Sequence, residues 1–198
     1  MGIFSQPGVQ AEAFDAPTTA IHDVSGDYTL DVSHSRVGFA ARHAMVTTVR
    51  GSFTQFEGAA TIDTGTPANS KVSLQIDTGS IDTGNKDRDA HLLSGDFFEN
   101  AAHPHITFES THVERDGDEW AITGDLTIKG VTKPVTVVFE ESGSAKDPFG
   151  NTRVGFEGAT VINRSDWGLT FNAVLETGGV MVSDKIKLDF DISAIKNV

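Results

Sequence analysis

The chain contains no cysteine. Disulfides, thiolate nucleophiles and cysteine-ligated metals are therefore excluded, while either redox compartment stays open. Tyrosine and tryptophan are scarce, at one and two residues, against 13 phenylalanines. Phenylalanine has no polar tip to satisfy, so this balance suits a dry interior. Basic residues are also in short supply, 15 against 28 acidic ones, for a formal net charge of -13. Such a surface repels phosphate backbones and anionic headgroups, and no run of Lys or Arg in the sequence offsets it. Nucleic-acid binding is not expected. No apolar run approaches the ~18 residues of a membrane span, so stable membrane insertion is not expected either. Residues Met1 to Ala20 lack the basic and apolar regions of a secretory signal, which leads to a cytoplasmic expectation. Gln6 stands where a myristoylation signal needs Ser or Thr.

What is present is an alternating pattern. Residues 1–25 are polar and rich in Pro and Thr, and read as a flexible N-terminal arm. Residues 26–198 read as one domain. Val37, Phe39, Ala41 and His43 share one face of a strand, and Val49, Gly51 and Phe53 share a face of the next. Parity then flips to Phe56, Gly58, Ala60 and Ile62, which predicts a bulge or bend near Thr54-Gln55. The pattern continues through Val72–Ile76, Ile106–Phe108, Trp120–Ile128, Val131–Phe139, Val154–Ile162 and Ile186–Ile192. Gly, Asp and Pro mark the turns, as at Asp116-Gly117-Asp118, Gly130, Pro148-Phe149-Gly150 and Gly178-Gly179. This is an all-β pattern of about eight strands, closing into an antiparallel barrel, with a cavity-free sandwich as the alternative. One segment departs from it: Asn85 to Leu93 predicts a short helix, with Asn85 as cap and Gly95 as its end. Leu92, Leu93, Phe97 and Phe98 give this segment an apolar underside.

The candidate chemistry is thin. His103-Pro104-His105 and Asp87-Arg88-Asp89-Ala90-His91 are suggestive of metal ligands, but three or four converging donors are not apparent. No calcium loop, nucleotide-binding fingerprint or nucleophile elbow occurs, so no metal or other cofactor is expected. Ser33-His34-Ser35 would suit nucleophilic catalysis only in a geometry that adjacent strand residues cannot supply. Asn163-Arg164-Ser165 fits a glycosylation sequon, which without a signal segment is read as chance. Arg88, Asp89 and His91 fit either an ion-paired helix start or a polar rim at the mouth of an apolar cavity.

Several motifs, taken in order, resemble the YceI-like family. They are Leu30-Asp31-Val32-Ser33-His34-Ser35-Arg36-Val37-Gly38-Phe39, Arg42-His43 with Val49-Arg50-Gly51-Ser52-Phe53, and Asp87 through Phe98. His103 through Phe108, Gly124 through Thr132, and Asn163 through Gly168 follow with family-like spacing. The resemblance implies a lipocalin-like antiparallel barrel that binds polyisoprenoid chains, including isoprenoid quinones, in a carrier or storage role, and it suggests a homodimer. On that reading Phe39, Phe53, Phe56, Leu92, Phe97, Phe98, Phe108 and Trp167 line the lipid site, and His34, Arg88 and His91 orient the headgroup. The rival readings are an enzyme acting on a lipid in the same cavity, with His34 and His43 as its candidate bases, and a stress-associated interaction protein with a filled barrel.

Overall fold

The computed structural model describes residues 23–174 and 179–197. Most of the expected arm, residues 1–22, and Gly178 of the expected double-glycine turn lie outside the described residues. The strands are β1 (Gly26–Leu30), β2 (Arg36–His43), β3 (Thr47–Phe53), β4 (Phe56–Ile62), β5 (Lys71–Asp77), β6 (Ile81–Asp82), β7 (His105–Asp116), β8 (Glu119–Ile128), β9 (Val131–Lys146), β10 (Thr152–Asn163) and β11 (Val182–Lys196). One helix, α1 (Lys86–Leu92), sits between β6 and β7.

These segments make eight staves. β1 and β2 are two halves of one stave broken by the 3-10 turn Val32–His34, and β5 and β6 are halves broken by Thr78–Ser80. β3 and β4 are joined across Thr54-Gln55, where the parity flip predicts a bend. The halves pair in step: β1 with β4, β2 with β3, β4 with β5, and β3 with β6. Each later stave pairs with its predecessor, and β11 returns to both β1 and β2. The result is a closed, antiparallel, up-and-down barrel of eight staves, which removes every long free edge.

The bends have a local cause. Asp31 and Asp77 each accept the amide two residues on, from Ser33 at 3.0 Å and Gly79 at 2.8 Å, and so turn the chain out of its strand. Thr54 N donates to Ser80 O at 3.1 Å and Asp77 N to Gln55 O at 3.0 Å, which ties the bend at Thr54-Gln55 to the one at Thr78–Ser80.

Two apolar clusters close the two ends. At one end α1, Phe97, Trp167 and Leu169 pack over Phe53, Phe56, Ile106 and Ile128. At the other, Val24 and Tyr28, each only 1% exposed, pack with Val113, Trp120 and Val154. The Tyr28 hydroxyl donates to Val24 O at 2.8 Å, so the one buried phenol is satisfied. Val24 and Ser25, assigned from sequence to the arm, thus belong to this end of the barrel. Asn85 caps α1 as expected, accepting from Arg88 N at 3.0 Å. The helix stops at Leu92 with Leu93 as its C-cap, in helical geometry, so Gly95 is not needed to end it.

Candidate functional site: an apolar lumen

Between the end clusters runs a cavity of about 180 Å³. Its wall comes from inward positions of nearly every stave, including Leu30, Val37, Phe53, Ile62, Leu74, Ile106, Phe108, Ile122, Val137, Phe139, Phe156 and Phe190. Ser70, Ser73, Thr61 and Thr107 are its hydroxyl residues, and among the described residues no titratable side chain lines it. The volume lies below the ~300–1,000 Å³ of pockets that hold compact drug-sized molecules. It suits a thin apolar chain.

Glycines keep this lumen open. Gly51 lies opposite Phe39, and Gly158 opposite Phe139. A methyl group on Gly51, Gly124 or Gly158 would come within 2.4 Å of the ring of Phe39, Phe108 or Phe139 respectively. Each ring therefore lies down on the bare backbone of its neighbour rather than standing up into the barrel. At Gly38, Gly58, Gly124 and Gly158 the alternation alone suggests tight curvature or close backbone approach; at Gly124 and Gly158 the approaching partner is a phenylalanine ring.

The expected lining residues divide into two groups. Phe53 and Phe108 are in the lumen wall. Phe39, Phe56, Leu92, Phe97, Phe98 and Trp167 pack in or against the cluster beneath α1 instead. Phe39 tilts against Phe53 at 5.7 Å, and Phe98 meets Phe53 edge-on at 6.3 Å. Trp167 is buried and donates from Nε1 to Leu126 O at 3.0 Å, so it latches the 164–167 turn onto β8. None of these six lines the lumen: Leu92, Phe97, Phe98 and Trp167 form the stopper, and Phe39 and Phe56 are strand residues on which it packs. Trp120, Phe139, Phe156 and Phe190 are wall residues that motif reasoning missed; their inward parity is the signal that could have found them.

The three expected headgroup residues do not come together. His34 is exposed on the outer wall, where Nδ1 pairs with Asp31 Oδ2 at 2.8 Å. Arg153, with Asp147 behind it, completes that cluster. The Ser33 hydroxyl and Arg153 guanidinium hold the Asp31 carboxyl well below the usual carboxylate range. Arg88 and His91 lie on α1. Arg88 turns back to Thr83, donating to Oγ1 at 2.7 Å and to the carbonyl at 2.8 Å. His91 Nε2 contacts Asp96 at 2.9 Å, and its ring meets Phe97 and Phe171 edge-on at 5.2 and 5.0 Å.

Ser33 and His34 do come into contact, against the strand-based expectation, because they occupy a 3-10 turn. Ser33 Oγ lies 3.0 Å from His34 Nδ1. Yet Asp31 contacts that same nitrogen, and Ser33 donates to Asp31 at 2.6 Å. A nucleophile relay needs serine and carboxylate on opposite ring nitrogens. His43, the other candidate base, is exposed at the end of β2.

Arg164, within the sequon, is instead a buried cation. It donates to the carbonyls of Ser183 at 3.0 Å, Val182 at 3.5 Å and Leu169. Burial pushes its pKa down, and Asp184 opposes that shift. Its guanidinium stands 6.0 Å from the Phe97 ring centre. The stopper is thus tied to the end of β11 by a charge that gives up water for backbone oxygens. No group of three or more His, Asp or Glu that could hold a metal occurs among the described residues. No helix among them is long and apolar enough to cross a membrane.

The sequence matches the YceI-like domain family over residues 28–194, the span of the closed barrel. The chain belongs to the YceI-like family. Protein YceI of Escherichia coli O157:H7 is 43% identical over 148 residues, covering 74% of this chain and 78% of the relative. Among solved structures, Burkholderia cenocepacia BcnA superimposes with a TM-score of 0.73 at 25% identity, covering 83% of this chain and 98% of BcnA. A polyisoprenoid binding domain from Saccharophagus degradans, implicated in plant cell wall breakdown, superimposes with a TM-score of 0.63 at 18% identity. It covers 86% of this chain and 98% of that domain, and shows the shared fold.

Proposed function

We propose that this YceI-like protein binds one long isoprenoid chain, of the polyprenol or prenyl-quinone type, and carries or stores it without chemical change. The observation that carries this reading is a lumen lined by apolar side chains with no titratable group. Burial of each CH₂-sized group there contributes about 0.8 kcal/mol, so a few isoprene units offset the cost of ordering a flexible chain. Only a slender tail fits about 180 Å³, which leaves a polar headgroup outside the wall. General acid–base catalysis needs a titratable group within hydrogen-bond reach of the reacting atoms, and the lumen supplies none. The polyisoprenoid-binding relative on the same fold supports this choice of cargo.

The test is native mass spectrometry with organic extraction of the purified protein, which reads bound lipid and the monomer or homodimer state together. A bound prenyl lipid is expected. Phe108→Asp puts a carboxylate into the wall, at a cost of several kcal/mol or with protonation. With its fold checked by circular dichroism, that variant should lose the lipid. A wild type that neither copurifies with lipid nor binds a prenyl quinone overturns the reading, as does a folded Phe108→Asp variant that binds as before. A filled barrel serving protein interactions would then take its place.

A further inference from the structure

Barrel closure assembles a feature that the linear sequence disperses. On the outer wall Ala40 of β2 is flanked by Lys187 of β11 on one side and Arg50 of β3 on the other. Arg42 and Lys185 lie two residues further toward the same rim, and all four cations are exposed. Among the described residues none of the four has a carboxylate ion-pair partner; Arg42 spends its guanidinium on Thr48 and on the carbonyls of Met45 and Val46. Asp184, beside Lys185 in sequence, is taken up by Ser165 N and Oγ at 3.0 and 2.9 Å.

The rim itself is apolar. The β2–β3 turn presents Met45 and Val46, 60% and 74% exposed. Ala44 N donates to Met181 O and Met181 N to Ala173 O, which brings exposed Val174 and Val180 to the same edge. Ala44 and Met45 also hold left-handed backbone conformations, at φ 48° and 59°. Glycine or asparagine would adopt these more cheaply in this three-residue hairpin turn between His43 and Thr47. An exposed Met in that position costs stability twice, in backbone strain and in apolar surface given to water.

Further down the wall the charge reverses. Outward positions of β11 read Lys185, Lys187, Asp189 and Asp191. Glu119, Glu140, Glu157 and Asp191 stand directly opposite one another on four adjacent strands. A barrel of net charge -13 thus shows a cationic band beside exposed apolar side chains at the stopper end, and an acidic wall below.

We propose that this rim docks reversibly on membranes rich in anionic phospholipid, with Met45 and Val46 entering the headgroup layer and Arg42, Arg50, Lys185 and Lys187 meeting the phosphates. Paired apolar and basic contacts of this kind hold peripheral proteins at the interface without a span. The acidic wall and the exposed stopper carboxylates Asp87, Asp96 and Asp166 repel the same surface, so the barrel meets it through this rim. That docking would serve to load or deliver lipid rests on the carrier reading; the docking rests on the rim alone.

The experiment is sedimentation of the full chain with vesicles of phosphatidylcholine, and with vesicles of equal parts phosphatidylcholine and phosphatidylglycerol, while bound lipid is measured on the same samples. Binding is expected to the anionic vesicles only, weakening as salt is added. Arg50→Glu with Lys187→Glu should weaken it at least tenfold, and Met45→Ser with Val46→Ser should do the same, with dichroism and lipid content unchanged. The docking proposal fails if the wild type ignores anionic vesicles, binds neutral ones equally, or is unaffected by both pairs of substitutions. It fails equally if the wild type forms a dimer that the rim variants abolish, which would give the rim to a second copy. A protein that docks but holds no prenyl lipid overturns the carrier reading alone.

Discussion

At the scale of single residues, the lumen depends on what glycine omits. Gly158 is the cleanest case, because the three atoms nearest to a methyl group there all belong to the Phe139 ring, at 2.4 to 2.9 Å. Gly158→Ala should therefore lift Phe139 off the wall and into the cavity. The expected cost is about 1–3 kcal/mol of overpacking together with loss of bound chain. Adding Phe139→Ala should restore lipid binding even if stability is not fully recovered, and urea unfolding with lipid extraction checks both. If the double variant stays empty, the ring is not what fills the space. The parity of Gly158 was legible in the sequence. Its partner was not, because a cross-strand contact requires the register between two strands. A second residue-scale effect is electrostatic. With Asp31 held low by the Ser33 hydroxyl and the Arg153 guanidinium, folding favours its ionised form. That stabilisation is complete above the unfolded-state value of about 4 and is lost as pH falls through the lower folded-state value. Arg153→Gln should destabilise most near neutral pH, with the gap to wild type shrinking at about pH 3. A gap that does not change with pH would mean that the pair acts through packing rather than charge.

At the scale of elements, legibility followed length and local chemistry. The long strands β8 and β10 were plain from alternation, and α1 from its asparagine cap. β1 was missed because Gly26–Leu30 carries only Tyr28 and Leu30 as sizeable apolar residues. The sequence pattern does not separate the turn at Val32–His34 from the strand, because its cause, the Asp31 side chain reaching Ser33 N, leaves no periodic mark. Likewise, nothing local to Asn163-Arg164-Ser165 reveals that Arg164 will be buried among carbonyls contributed by β11 and the loop before it. The helix itself invites a test. Seven residues are too few to hold as an isolated helix, so α1 relies on its cap and on Leu92, Leu93, Phe97 and Phe98 below it. Asn85→Ala should cost about 0.5–2 kcal/mol. Because α1 belongs to the stopper and not to the barrel wall, the loss should show as faster amide exchange around Arg88 and faster lipid exchange, with barrel amides unchanged. Uniform loss of protection would show that helix and barrel open together.

At the scale of the whole molecule, a closed barrel turns dispersed residues into continuous surfaces, one inside and one outside. The inner surface could be anticipated as apolar, because alternation survives in the linear order. The outer charge pattern could not. Arg42 and Arg50 lie far from Lys185 and Lys187 in the chain, and a net charge of -13 conceals where the positive residues gather. On the proposed reading, closure also makes the bound chain part of the core. An apolar chain running between the two end clusters touches most of the eight staves, so it binds the folded barrel and has no comparable site on the unfolded chain. Linkage then predicts stabilisation that grows with ligand: about 2.7 kcal/mol at one hundred times Kd. For a domain of this size that corresponds to a rise in Tm of roughly 5–10 °C. Delipidated protein titrated with a short-tailed prenyl quinone should show this rise. The headgroup analogue without a tail should leave Tm where it was, because the lumen offers that part no polar partner beyond a few hydroxyl groups. Equal shifts from tail and headgroup would place the binding outside the lumen, and a Tm indifferent to both would leave the barrel as a filled scaffold.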